Sequence, residues 1–186
     1  FMRGFDEGRG SLNSKGLAVV RRDNVKFIKG VMSKILSIVL EERNPDKAKE
    51  HIRRTRAIIA RSLECIHDAN PADGLMGIKM FEESGSIASN RSLDDYAEIA
   101  PAAVAVARRL RAANPDDPTI ESGARVNYVT ISDSSIRQKS MRARTLEEVI
   151  ANRLPLDAEH YLDQFDKKVA PLIAPVMADE EQKSMK

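Results

Sequence analysis

Two apolar stripes at helical spacing, separated by one helix-breaking turn, constrain the fold of this chain most strongly. The first stripe consists of Val25, Ile28, Met32, Ile35 and Val39, and the second of Ile52, Ile59, Leu63 and Ile66. Apolar residues at intervals of three and four form one face of an amphipathic helix. The turn Asn44-Pro45-Asp46 ends the first helix and can cap the second. The pattern therefore predicts helices over about 24–42 and 46–67, joined as an antiparallel hairpin.

Basic residues follow a second face of each predicted helix. They are Arg22, Lys26 and Lys29 on the first helix, continued by Ser33 and Ser37, and Lys49, Arg53 and Arg56 on the second. Residues 1–67 hold 15 Lys and Arg against 8 Asp and Glu, although the whole chain carries only +2. A basic half is a weak indication of a polyanionic partner. A contact surface for phosphates and an ordinary solvated face are equal alternatives here.

The segment 15–24, KGLAVVRRDN, joins an apolar run to the first helix. Residues 17–20 suit a short, half-buried strand, and the Asp-Asn pair that ends the segment can cap the helix. Arg21 and Arg22 therefore lie at an ordered corner, where guanidinium groups can be directed at phosphates or minor-groove edges.

Beyond the hairpin the sequence predicts short elements separated by loops. Capping boxes at Ser92–Asp95 and Thr145–Glu148 each begin a short helix, and a further helix spans about 101–114 between two prolines. The alternating, β-branched residues 125–131 predict a strand. The last helix begins at Asp157, which acts as its cap. The predicted fold class is therefore mainly α with a few short strands (α+β).

Glycine, proline, serine and charged residues mark the segments that we expect to lack regular structure. Residues 1–14 are predicted to be a flexible lead-in, and residues 132–144 a loop or a mobile basic insert. Pro171 and Pro175 are expected to break the last helix. The polar tail after residue 177 is expected to fray.

Residue types that carry catalysis or bind metals are sparse. The single cysteine, Cys65, excludes an internal disulfide and lies in an apolar helical pattern, which favours a buried core position. The 3 histidines are too scattered to form a ligand set, and the pair Asp94-Asp95 lies at a capping position. Because no apolar run has the length of a membrane span, we expect a soluble intracellular protein.

Four sequence blocks, in order, carry a resemblance to a known family. They are KGLAVVRRDN at 15–24, the stretch from Ile78 to Leu110 that begins IKMFEESG, GARVNYVTI at 123–131, and NRLPLDAEHYLDQFDKKVAPLIAPV at 152–176. The blocks resemble the thumb region of family B DNA-directed DNA polymerases. The family usually has Pro where this chain has Asn127, and a second Tyr where it has His160. These departures indicate a divergent member, and a viral source is one interpretation.

The resemblance implies a division of the chain and a set of DNA contacts. Residues 1–14 would be the lead-in, 15–23 the palm–thumb junction, 24–177 the thumb domain with its long helix hairpin, and 178–186 the tail. Lys15, Arg21, Arg22 and Asp23 would lie near the primer strand just behind its growing end. The following helices would grip the duplex across the minor groove.

The candidate DNA-binding residues form two ranks. The first rank is Lys15, Arg21, Arg22, Lys26 and Lys29, and the second is Lys79, Arg125 and Lys168. Arg125 can equally be held in a salt bridge that supports its strand. For Arg137, Lys139, Arg142 and Arg144, an ordinary solvated loop is the preferred interpretation.

The resemblance also implies a polymerase whose catalytic centre lies elsewhere. Nucleotidyl transfer in this family uses two divalent ions held by palm carboxylates, and this chain has neither the Asp-Thr-Asp type turn nor the Ser-Leu-Tyr-Pro type motif. We therefore expect no catalytic residue, metal site or cofactor in this chain, with Mg²⁺ in the palm of the complete nucleotidyltransferase, and no activity from the chain alone.

The implied partners are primer–template DNA and the palm, fingers and exonuclease domains, with a processivity factor as a further candidate and no membrane. The implied location is the nucleus or a site of viral DNA replication. Two other functions remain open. One is a non-catalytic, thumb-like DNA-binding or assembly module of a larger complex. The other is a helical interaction protein without a nucleic-acid role, which would be favoured if Arg22, Lys26 and Lys29 were buried in intrachain salt bridges.

Overall fold

The computed structural model describes residues 2–6, 9–13, 25–42, 44–68, 76–115 and 120–184. The strand predicted at 17–20 and the arginine corner after it lie outside these ranges. Helices predominate, accompanied by one two-stranded and one three-stranded antiparallel sheet. The predicted fold class, mainly α with a few short strands, is confirmed.

The first described elements are two strands that the sequence did not indicate. β1 (Met2–Asp6) pairs antiparallel with β2 (Arg9–Asn13), with Met2 opposite Asn13. The prediction of a lead-in without regular structure is therefore wrong for this segment. Its glycines and charged residues conceal a hairpin because backbone hydrogen bonds between strands require no apolar alternation.

The two long helices predicted from the apolar stripes are present. α1 (Lys26–Ser37) continues as a π-helical turn, Ile38–Glu42, and α2 spans Pro45–Glu64. Asn44 caps α2, since its side-chain oxygen accepts a hydrogen bond from the Lys47 N–H at 2.9 Å. Cys65 is only half-buried. The expected core position is wrong, and the next residue, Ile66, is buried in the core instead.

A three-stranded sheet connects the helical parts of the structure. β3 (Glu83–Ser86) pairs antiparallel with β4 (Arg125–Thr130), and β4 pairs with β5 (Ala143–Arg144). The predicted strand at 125–131 is thus confirmed, and its last residue, Ile131, forms a bridge with Leu156. β5 lies in the segment that was predicted to be a loop or mobile insert, and it follows a short 3-10 turn, Lys139–Arg142.

Two apolar clusters form the core, and β4 contributes to both. One contains Val126 and is built around α3 (Ala102–Ala113). The other contains Val129 and Ile131 and includes buried residues of α1, α2 and the last helix. Alternate residues of a strand point to opposite faces of a sheet, which explains this division. Gly85 permits α3 to approach β3, because a Cβ at this position would lie 2.8 Å from the Ala103 Cβ.

The C-terminal helices begin at the caps that the sequence predicted. Thr145 and Glu148 form the capping box of α4 (Leu146–Asn152). α5 spans Ala158–Ser184, and the Asp157 carboxylate accepts a hydrogen bond from the His160 N–H at 2.9 Å. No helix within the described ranges is long and apolar enough to cross a membrane.

The predicted break at Pro171 and Pro175 is wrong, and so is the predicted fraying after residue 177, because α5 continues through both prolines to Ser184. Proline has a φ value compatible with a helix, so its cost is a lost N–H and crowding against the preceding turn. Burial of Val169 and Leu172 against α1 and α2 stabilises this part of the helix.

Candidate nucleic-acid interface

The start of α1 presents an apolar face to the core and a polar face outward. Val25, which precedes the helix, and Ile28 are completely buried. Lys26 is exposed and Lys29 is half-exposed on the other face, as a spacing of three residues requires. Lys26 and Lys29, the described basic residues of the predicted second stripe, are therefore accessible, which a contact with DNA requires.

Three aromatic rings connect the start of α1 to distant parts of the chain. The Phe27 and Phe81 ring centroids are 5.1 Å apart, and those of Phe81 and Tyr161 are also 5.1 Å apart. We call these residues the aromatic junction. Phe81 ends a 3-10 turn, Ile78–Phe81, that carries the exposed Lys79. The junction therefore brings Lys79 to the end of α1 where Lys26 and Lys29 lie.

Lys26, Lys29 and Lys79 form what we call the cationic patch, and its members differ in their partners. The Lys26 Nζ lies 2.9 Å from the Glu82 Oε2, and the Lys26 side chain is 50% exposed whereas that of Glu82 is 14% exposed. Within the described ranges, Lys29 and Lys79 have no ion-pair partner. Two of the three candidate cations are thus available to an external anion.

The remaining predicted contacts have other surroundings or lie outside the described ranges. The Arg125 Nε donates a hydrogen bond to the Ser84 Oγ at 2.6 Å, and Arg125 lines a groove of about 290 Å³ together with Glu82. Lys168 is half-buried on α5, about 10 Å along the helix axis from Tyr161. The other predicted contacts, Lys15, Arg21, Arg22 and Asp23, belong to the undescribed segment.

The basic face of α2 is largely neutralised by ion pairs. These are Lys49–Asp46 at 3.4 Å, Arg53–Glu50 at 2.8 Å, Arg54–Glu50 at 2.5 Å and Arg56–Asp166 at 3.2 Å. Hydrogen bonds from Arg53 and Arg54 lower the pKa of Glu50 to about 2, so this carboxylate stays charged. The α2 face is therefore a weaker candidate for phosphate contact than the start of α1.

Two cations of the 132–144 segment hold the chain together. The Arg142 Nη1 lies 3.2 Å from the Oδ2 of the buried Asp157, and the Arg142 Nε donates to the Ile136 carbonyl at 2.8 Å. Arg144 donates to the Met141 carbonyl at 2.9 Å. Because these guanidinium groups have structural partners, they are poor candidates for DNA contact.

The described residues offer no ligand set for a divalent ion. They contain no group of three or more His, Cys, Asp or Glu side chains close enough to hold a metal. The acidic pair is engaged elsewhere: Asp94 forms an ion pair with Arg111, and Asp95 accepts a hydrogen bond from the Ser92 N–H at 2.7 Å. The predicted role of the pair as a helix cap is thus confirmed for Asp95. The described residues do not fit the Mg²⁺ of a polymerase palm.

Sequence reasoning missed a buried polar network centred on Glu83. Its carboxylate accepts hydrogen bonds from the Thr130 hydroxyl and the Gln164 amide, each at 2.9 Å, and lies 3.0 Å from the His160 Nε2. The Tyr161 hydroxyl accepts a hydrogen bond from the Thr130 N–H at 2.8 Å. Burial, followed by the charge of Glu83, raises the pKa of Tyr161 well above its usual value, so the phenol stays neutral. The signal in the sequence was His160, where the resemblance led us to expect tyrosine.

Comparison with known protein families assigns the chain. The family model described as DNA polymerase family B matches residues 3–176. The chain belongs to DNA polymerase family B. Similar relatives include the DNA polymerase delta catalytic subunit of Candida albicans, 28% identical over 176 residues, and that of Caenorhabditis elegans, 29% identical over 173 residues. These matches cover 94% and 92% of this chain but only 15% and 14% of the respective relatives.

A solved structure has the same fold over most of the chain. The family B DNA polymerase from the hyperthermophilic archaeon Pyrobaculum calidifontis matches with a TM-score of 0.55 and 16% sequence identity. The match covers 83% of this chain and 18% of that one. At this identity the likeness shows the fold alone. This chain thus spans less than a fifth of the length of each of these three proteins.

Proposed function

We propose that this chain is the thumb segment of a family B DNA-directed DNA polymerase and that it grips primer–template duplex through backbone and minor-groove contacts. The palm, fingers and exonuclease domains would be its partners, with a processivity factor as a further candidate. The curated relatives are eukaryotic DNA polymerase delta catalytic subunits, which favours replication in the nucleus over a site of viral replication. The duplex-binding role extends beyond the family assignment.

The cationic patch is the observation that carries the duplex-binding part of the proposal. A polymerase must hold every sequence, so its grip is best built from phosphate contacts and the degenerate minor groove. Lys29 and Lys79 are available cations on elements fixed by the aromatic junction. This arrangement does not favour the helical interaction protein, because Lys26 remains half-exposed and Lys29 has no ion-pair partner within the described ranges.

We expect residues 1–186 to bind primer–template duplex with an affinity that falls as the salt concentration rises. Each phosphate neutralised by a cation contributes about 0.9 to the slope of log K against log salt concentration. Replacing Lys29 and Lys79 together with alanine should therefore reduce the magnitude of the slope by about 2. Fluorescence anisotropy with a labelled duplex at several salt concentrations measures this change.

Lys34→Ala is a matched control on the same helix. Lys34 is exposed and follows Lys29 by five residues, which places it about 140° further around α1. We expect duplex binding by the Lys34→Ala variant to have the same salt slope as binding by the parent chain. Salt-independent binding by the parent chain, or equal losses from Lys34→Ala and Lys29→Ala, would contradict the proposed interface.

The arginine corner provides a test in the complete enzyme. With the upstream palm restored, Arg21→Ala combined with Arg22→Ala should shorten the products made per binding event, because the primer strand loses two charge-assisted contacts. Single-encounter primer extension in the presence of a DNA trap measures product length. The control is Arg53→Ala with Arg54→Ala, whose side chains are exposed on α2. Equal shortening by both double variants would refute a special role for the corner.

A further inference from the structure

Lys26 differs from the other members of the cationic patch because a carboxylate already neutralises it. The Lys26 Nζ is 2.9 Å from the Glu82 Oε2. Glu82 directly follows Phe81, so the aromatic junction fixes the backbone that carries this carboxylate. Arg125 lines the same groove as Glu82, but its Nε donates to the Ser84 Oγ. Lys26 is therefore the partner of Glu82 that a duplex would compete for.

A phosphate that approaches Lys26 meets a pair with no net charge. To bind the phosphate, the ammonium group must leave Glu82 or be shared with it. In either case the Glu82 carboxylate, with only 14% of its side chain exposed, lies beside a second anion with little water to solvate it. The negatively charged phosphate and the Glu82 carboxylate repel each other, and poor solvation strengthens this repulsion.

We propose that Glu82 restrains duplex binding by neutralising Lys26, so that Lys29 and Lys79 supply the attraction of the patch. The inference rests on the proposed function, because it concerns the regulation of the same interface. Its consequence is a weaker grip than three lysines would give. Weak, sequence-independent phosphate contacts allow a protein to slide along DNA, as a polymerase must after each addition.

Glu82→Gln tests the restraint, because glutamine preserves the shape and the acceptor oxygen but removes the charge. Binding of residues 1–186 to primer–template duplex should gain about 0.9 in the magnitude of its salt slope. Raising the salt concentration from 50 to 200 mM should accordingly reduce the affinity of this variant by a factor about 3.5 times larger than that of the parent chain. The double variant Lys26→Ala/Glu82→Gln should return to the slope of the parent chain. An unchanged or shallower slope for Glu82→Gln would overturn the proposal, as would a double variant with a shallower slope than the parent.

Glu98→Gln controls for the change in net charge, since Glu98 is exposed and has no ion-pair partner within the described ranges, so its removal releases no cation there. We expect it to leave the salt slope unchanged, and an increase equal to that of Glu82→Gln would overturn the proposal. Circular dichroism verifies that each variant is folded. If Lys29→Ala and Lys79→Ala lower the slope but Glu82→Gln does not raise it, only the restraint is wrong. If the lysine variants also leave the slope unchanged, the proposed interface itself is wrong.

Discussion

Replacing Phe81 with alanine is expected to lower the free energy of unfolding by about 3 to 5 kcal/mol. Phe81 is completely buried, and its ring lies between those of Phe27 and Tyr161. Truncation removes apolar surface from the core and leaves a cavity among residues from three separate elements, which cannot all collapse into it. Urea unfolding followed by circular dichroism measures the loss.

The neighbouring Met80 gives a matched control, because it belongs to the same turn but is 38% exposed. Met80→Ala should cost about 0.5 kcal/mol or less, as is usual for substitutions outside the core. Phe81→Leu should lie between the two, since leucine fills part of the volume. Similar losses for Met80→Ala and Phe81→Ala would contradict the central position of Phe81 in the aromatic junction.

The helical framework could be predicted from the sequence because its signals are local. The apolar stripe of α1 and the Asn44 cap of α2 each depend on residues within a few turns. The β1–β2 hairpin and the passage of α5 through Pro171 were missed for the opposite reason. Backbone pairing in the hairpin and packing of α5 against α1 and α2 override the local tendencies of glycine and proline.

The candidate site was predictable in residue type but not in electrostatics. Periodicity identified Lys26 and Lys29 as neighbours on one face of α1, and the structure agrees. The pairing of Lys26 with Glu82 joins residues 56 positions apart, so no local pattern contains it. The same holds for Arg142 and Asp157, whose ion pair changes the interpretation of a basic insert. Long-range pairing decides which cations an external anion can reach.

Replacing Glu83 with alanine should destabilise the protein by about 3 to 5 kcal/mol, because several hydrogen-bonding groups lose the same buried acceptor at once. The Glu83 side chain lies at the centre of the polar network, where Thr130, His160 and Gln164 contact it. Truncation leaves these groups without their acceptor in a site that water reaches poorly, and each buried unsatisfied group costs about 1 to 3 kcal/mol. Equilibrium urea unfolding at pH 7 measures the loss.

Glu83→Gln separates the charge of Glu83 from its hydrogen bonds. Glutamine has nearly the same shape, and its carbonyl oxygen can still accept a hydrogen bond from the Thr130 hydroxyl. Its NH₂ group, however, replaces the second carboxylate oxygen and presents a donor to Gln164 or His160, where Glu83 presents an acceptor. We therefore expect a loss of about 1 to 3 kcal/mol, below that of alanine. A double-mutant cycle with Gln164→Ala should reveal coupling, because the Gln164 Nε2 lies 2.9 Å from the Glu83 Oε2. Additive losses would mean that the two side chains stabilise the fold independently, and the contact between β3 and α5 would then depend on packing alone.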